Sequence, residues 1–205
     1  MEEKIQKELS HIRAMMERST RFLSLSGWAG ILAGIYALTG AFFAYKIIYR
    51  SDTIIYYDIT GGIFSKGAIT LLGIALAVFL LTLATAIYTS SATARKSGKT
   101  LWTPAALKML YNMAIPLLTG GILSIILIQK GTIGLVAPIT LIFYGFSLVL
   151  AANYTYSNVK ILGILEIIIG VIGAYYQGYG LYFWALGFGV LHIVYGVFMY
   201  VKYKK

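Results

Sequence analysis

The chain has 205 residues, 59% of them apolar and only 12% charged, with a formal net charge of +10 and no cysteine. An average soluble domain is about 45–50% apolar and about 25% charged, so these proportions exclude both a disordered chain and an ordinary soluble domain. The absence of cysteine excludes disulfides, thiolate metal sites and a cysteine nucleophile. A mean hydropathy of +0.80, carried by apolar runs of about 20 residues, reads as one integral membrane unit.

Residues 1–23 read as a cytoplasmic amphipathic helix. Ile5, Leu9, Ile12, Met16 and Leu23 recur at helical spacing, while Glu2, Glu3, Lys7, Glu8, Arg13, Glu17 and Arg18 fill the other faces. Such a helix is expected to lie on the inner leaflet with its basic residues near anionic headgroups. Its 4-3 spacing also suits a short self-associating or partner-binding seam. His11 is read as solvent-exposed. The stretch is too long and too mixed in charge for a signal peptide, so the first span is expected to be a retained anchor.

Residues 24–205 contain six runs able to cross about 30 Å of hydrocarbon at about 1.5 Å per residue. They cover 24–48, 68–90, 106–128, 133–152, 161–177 and 181–201. The runs are apolar on every side, which fits spanning helices and not the alternating strands of a barrel. The predicted fold is therefore an all-α integral membrane protein of six transmembrane helices, paired as hairpins 24–90, 106–152 and 161–201. Residues 50–66 form a long polar and aromatic loop. Its Tyr56 and Tyr57, between Asp52 and Asp58, either grip a cationic ligand or rest on the bilayer surface. Pro104 suits the first turn of the third helix, whereas Pro116 and Pro138 fall inside spans and are expected to bend them or free carbonyls.

Charge follows the same plan. With a cytoplasmic N-terminus, thirteen of the seventeen Lys and Arg residues lie inside, and Lys46, Arg50, Lys66 and Lys130 lie outside. The positive-inside rule thus accounts for the basicity. No basic segment is interleaved with aromatic residues on a soluble surface, so nucleic acid is not an expected partner. The lipid bilayer is.

The odd-numbered spans repeat one pattern: Gly-Ile-Leu, then Ile at plus five and Gly at plus ten. It begins at Gly30, Gly121 and Gly163 and ends at Gly40, Gly131 and Gly173. A shift of 42 residues lays the third and fourth spans on the last two, matching Gly145-Phe146 with Gly187-Phe188 and Val159-Lys160 with Val201-Lys202. Three tandem hairpins of one design, in parallel orientation, are predicted. The repeated glycines are expected to let helices approach closely. Gly30 and Gly34 form a GxxxG pair that serves either a dimer face, making a homo-oligomer, or packing between repeats.

The last hairpin, Gly163-Ile-Leu-Glu-Ile-Ile-Ile-Gly170, then Gly178-Tyr-Gly180, then Gly189-Val-Leu-His-Ile-Val-Tyr-Gly196, resembles the two-helix repeat of HdeD-like bacterial membrane proteins. The likeness spans about 40 residues. It lacks that family's usual proline at the outer turn, and the basic prefix and long first outer loop are not features of the family. The resemblance implies six spans in three hairpins in the bacterial inner membrane and an association with acid resistance, without an agreed biochemical activity.

Polar residues in hydrocarbon are costly and mark candidate sites. Glu166 and His192 are placed on antiparallel neighbours with an axial gap of about 6 Å, within reach of a shared proton. They form either a proton-exchanging pair or a lock for the last hairpin, unless Glu166 snorkels to the interface. Asn112, Ser124 and Tyr195 are candidate cavity or interhelical polar groups, and the many other tyrosines, Tyr144 among them, are read as interfacial belts. No phosphate loop, HExxH or nucleophile elbow occurs, and the histidines and acids do not have metal-site spacing, so neither a cofactor nor a metal is implied. The expected role is non-enzymatic, in membrane organisation or stress response. The alternative is a small-solute or proton-linked transporter or channel with a path near Glu166 and His192. An intramembrane enzyme is a third reading, with one acid and one histidine to support it.

Overall fold

A helix dissolved in lipid keeps its backbone hydrogen bonds internal and needs about 20 residues to cross. The computed structural model, which describes residues 6, 22, 26–48, 65–96, 98 and 100–203, has six helices that meet this requirement and no strand among those residues. They are α1 (Gly27–Ile48), α2 (Lys66–Lys96), α3 (Pro104–Gln129), α4 (Val136–Ala151, lengthened to a 19-residue span by the 3-10 turn Ile133–Leu135), α5 (Asn158–Tyr175) and α6 (Gln177–Tyr203). The described residues are thus of all-helical class, with six helices long and apolar enough to cross a membrane, as in a multi-pass protein. Apart from Gln6 and Phe22, the expected amphipathic prefix lies outside the described residues, as does the 49–64 connection with Tyr56 and Tyr57.

Local chemistry sets the ends. Thr103 caps α3 by accepting a hydrogen bond from the Ala106 N–H at 3.2 Å, and Pro104 follows in the first turn, where its missing N–H costs nothing. Pro138 is also a first-turn residue of α4, so the expected mid-span disruption does not arise there. Pro116 lies inside α3 and is buried. Gly131 has φ 76° and closes the turn between α3 and α4, a conformation glycine adopts without a Cβ penalty. It is a turn residue and not a packing residue. At 31 residues, α2 is longer than the expected 68–90. It runs on to Arg95 and Lys96, whose charges complement the helix C-terminus.

Glycines decide which helices touch. α1 lies between α2 and α6, α4 lies between α3 and α5, and the first turns of α6 join the two groups by resting on α4 and α5. A Cβ on Gly34 of α1 would sit 2.5 Å from the Gly189 carbonyl oxygen and 2.6 Å from Ile193 Cγ1 of α6. A Cβ on Gly145 of α4 would sit 2.5 Å from the Gly163 carbonyl oxygen and 2.6 Å from Ile167 Cγ1 of α5. These are two copies of one contact: glycine against a backbone carbonyl, with the isoleucine one turn later closing over it. Small residues permit such approach in lipid, where packing replaces the hydrophobic effect as the driving force.

Ahead of α1, Phe22 is buried against Ala105, Ala106, Met109 and Ala151. Its N–H donates to the Tyr154 carbonyl at 2.7 Å, and Thr155 Oγ1 donates to its carbonyl at 2.6 Å. The chain entering α1 is therefore tied to the α4–α5 connection. Thr155→Val strands the buried Phe22 carbonyl, and the expected cost is about 1–3 kcal/mol. Limited proteolysis checks this, because cleavage before α1 is expected to accelerate while the bundle stays intact.

Candidate functional site

Glu166 is the ninth residue of α5, about 12 Å from the Asn158 end, and so sits at the middle of its helix. It is fully buried and does not snorkel. His192 of α6 faces it, with Nδ1 3.4 Å from Glu166 Oε1. The structure thus brings together the two residues singled out in the sequence.

The sequence reading did not identify the third member. Tyr144 of α4 places its hydroxyl 2.8 Å from His192 Nε2. Nδ1 also lies 3.1 Å from the Gly187 carbonyl oxygen, which can only accept. Nδ1 therefore carries hydrogen, and in neutral His192 the Tyr144 hydroxyl donates to Nε2. Phe188 stacks over the imidazole, with ring centroids 6.1 Å apart. Three helices thereby enclose one imidazole and one carboxyl, whose oxygens have, among the described residues, no hydrogen-bond partner other than this contact with His192.

Two features of α6 make the space. Residues Ala185–Leu191 form a π-helical segment, the kind of local widening that is common at functional sites. Within it, Gly187 leaves room for the acid: a Cβ there would collide with Glu166 Oε2 and Leu141 Cδ2. The 42-residue shift had matched Gly187 with Gly145, yet the two glycines serve different contacts.

The remaining candidates lie elsewhere. Asn112 Nδ2 donates to the Lys108 carbonyl at 2.8 Å and to the Tyr154 hydroxyl at 3.3 Å, joining α3 to the α4–α5 connection. Ser124 spends its hydroxyl on the Gly120 carbonyl of its own helix. Tyr195 packs on the Leu148–Leu162 cluster with its hydroxyl buried and without a hydrogen-bond partner among the described residues. At the end of the bundle nearest Lys160 and Lys202, Tyr156 lies against Tyr203, with centroids 4.4 Å apart. Burial, with Tyr203 adding to it, pushes the Tyr156 phenol above its ordinary range.

Of the predicted packing glycines, Gly30 meets Gly196 of α6, Gly40 meets Val78 of α2, Gly163 meets Gly145 of α4 and Gly173 meets Phe183 of α6. Gly30 and Gly34 are thus occupied inside the chain. Among the described residues, Gly121 meets nothing within 4 Å. Among the described residues no cluster of three or more metal-ligating side chains occurs.

No family model matches the chain, and comparison with curated proteins and with solved structures likewise finds no match.

Proposed function

We propose that this is a non-enzymatic protein of the bacterial inner membrane, with tandem hairpins and cytoplasmic termini, which serves membrane organisation or stress response and answers to protons through Glu166, His192 and Tyr144. The observation that carries the reading is the enclosure of one carboxyl and one imidazole, 3.4 Å apart, at the centre of the bundle. A structural lock in lipid is served as well by apolar side chains, so an acid and a base retained together point to proton chemistry. The HdeD-like resemblance of residues 163–196, with its link to acid resistance, supports the same direction.

The pair is free of net charge in two forms, Glu166-COOH with neutral His192 or carboxylate with imidazolium. One further proton leaves a buried positive charge, and one fewer leaves a buried negative charge. Both cost stability in a low-dielectric bundle. Tyr144 and Tyr195 are the other titratable groups around the pair. Thermal unfolding in nanodiscs across pH is therefore expected to give a maximum with an acid and an alkaline limb. Glu166→Gln is expected to remove the alkaline limb and His192→Phe the acid limb, with expression preserved. A flat profile for the parent protein, or profiles unchanged in both variants, overturns the reading.

A proton-linked transporter or channel is the second reading, and one observation favours it. Trp184 lines a cleft in the bundle and contacts Phe188, which in turn stacks on His192, so aromatic contacts run from the cleft to the buried pair. Proteoliposomes with an entrapped pH dye separate the two. Proton flux absent from empty liposomes and lost in Glu166→Gln establishes transport.

A further inference from the structure

The two glycine-packed interfaces, α1 with α6 and α4 with α5, each join an odd-numbered helix to an even-numbered one. A third interface of this kind would join α3 to α2, and there the helices part. Gly121 is the α3 counterpart of Gly30 and Gly163 in the repeated pattern. Those two lie against backbone of a neighbouring helix, whereas Gly121 faces open space. The opening belongs to a cleft of about 490 Å³, within the range of about 300–1,000 Å³ typical of ligand sites.

Its chemistry is that of a hydrocarbon chain. The walls are almost entirely apolar, and the hydroxyls of Ser124 and Thr140, which line it, are already bonded to carbonyls of their own helices. Leu76 and Phe79 on the α2 wall are more than half exposed, so the cleft opens sideways toward the surrounding membrane. Along α2 the lining runs from residue 68 to residue 79, about 16 Å at the helical rise. One leaflet of hydrocarbon is about 15 Å deep.

Charge selects the head group. Ala44, Ala68 and Ile128 line the cleft at one end of the bundle, and the exposed Lys46, Lys66 and Lys130 stand at that same end, outside the lining itself. Glu166 is the only acid among the described residues, and it is buried at mid-bundle. In the sequence, the 49–64 connection between Lys46 and Lys66 adds Arg50 and two acids, Asp52 and Asp58.

We infer that the cleft between α2 and α3 holds one acyl chain of an anionic phospholipid, with the phosphate at the end of the bundle that carries Lys46, Lys66 and Lys130 and opposite Lys160 and Lys202. The inference does not rest on the proposed proton response.

The test is native mass spectrometry of the full chain released from nanodiscs of phosphatidylcholine and phosphatidylglycerol at 3:1. One phosphatidylglycerol per chain is expected to survive release. Gly121→Phe fills the cleft from a position with room for a side chain and is expected to abolish retention. Gly73→Phe also enters open space, but outside the cleft, and is expected to retain the lipid. Lys66→Gln with Lys130→Gln is expected to lower the preference for phosphatidylglycerol over phosphatidylcholine by about fivefold per lysine. The inference is overturned if no lipid is retained, as when the 49–64 connection or a second copy of the chain fills the cleft. It is equally overturned if a fatty acid is retained instead, if lipid composition follows the bulk, or if Gly121→Phe and Gly73→Phe behave alike.

Discussion

Replacing Gly196 with valine is expected to part α1 from α6 and cost about 3 kcal/mol or more, at the upper end of overpacking penalties. The size follows from what a side chain there would meet. A Cβ on Gly196 would lie 2.5 Å from the Ile31 nitrogen, 2.7 Å from the Gly27 oxygen and 2.9 Å from the Gly30 carbonyl carbon. All three are backbone atoms of α1, which cannot rotate away as a side-chain tip can. Gly73→Val is the matched control, because among the described residues nothing lies within 4 Å of a Cβ at that position. Thermal unfolding in detergent gives the energetic difference. The chain has no cysteine, so Trp28→Cys with Tyr200→Cys, replacing rings 5.5 Å apart, reports cross-linking between α1 and α6 without background. Gly196→Val is expected to lose that cross-link, and Gly73→Val to keep it. An unchanged cross-link and melting midpoint in Gly196→Val would contradict the glycine-packed interface.

The different fates of similar glycines explain what could be read from the sequence and what could not. The six helices were legible because spanning depends on length and apolarity, both properties of a single segment. Which face of a helix meets which neighbour was not, since a segment apolar all round has no polar side to set its rotation. Gly121 and Gly163 therefore carry the same local letters, yet one opens on a cleft and the other touches the Gly145 carbonyl. Gly131 fell into the same pattern by spacing, although its place after a helix end and before Thr132 is the ordinary setting of a left-handed turn.

The buried pair was legible for a related reason. An acid in hydrocarbon is rare, so Glu166 stood out, and His192 was the histidine within its reach. Tyr144 did not stand out among 17 tyrosines, and nothing local to it predicts a hydroxyl aimed at an imidazole 48 residues later. The π-helical segment was hidden too, because widening by one residue per turn changes no letter. The available signal was Gly187 and Gly189, two glycines inside a spanning run and one turn before the histidine.

His192→Ala is expected to be the most disruptive single change at the buried site. It removes the partner 3.4 Å from a carboxyl that has no other hydrogen bond, together with the ring that holds Tyr144. Breaking a buried pair from one side typically costs about 3–5 kcal/mol, because the remaining group stays desolvated without compensation. Removing both members is different. Glu166→Leu with His192→Leu replaces the pair by apolar groups of similar bulk, and such exchanges are often neutral or stabilising by about 1–4 kcal/mol. The double variant is therefore expected to melt above His192→Ala and near the parent protein. Tyr144→Phe deletes one hydrogen bond and is expected to cost about 0.5–1.5 kcal/mol. The comparison separates stability from proton response. If the pair serves protons, the double variant keeps its fold and loses both pH limbs. A flat parent profile, matched by the double variant at every pH, would mean that the pair neither gains nor loses a proton over that range and serves as a lock alone. A double variant as unstable as His192→Ala would mean that the energy comes from the pair's own interaction and not from the stranded acid, because two leucines leave neither an unpaired acid nor a comparable cavity, a conclusion that Glu166→Leu and His192→Leu, each measured alone, then make quantitative by closing the mutant cycle.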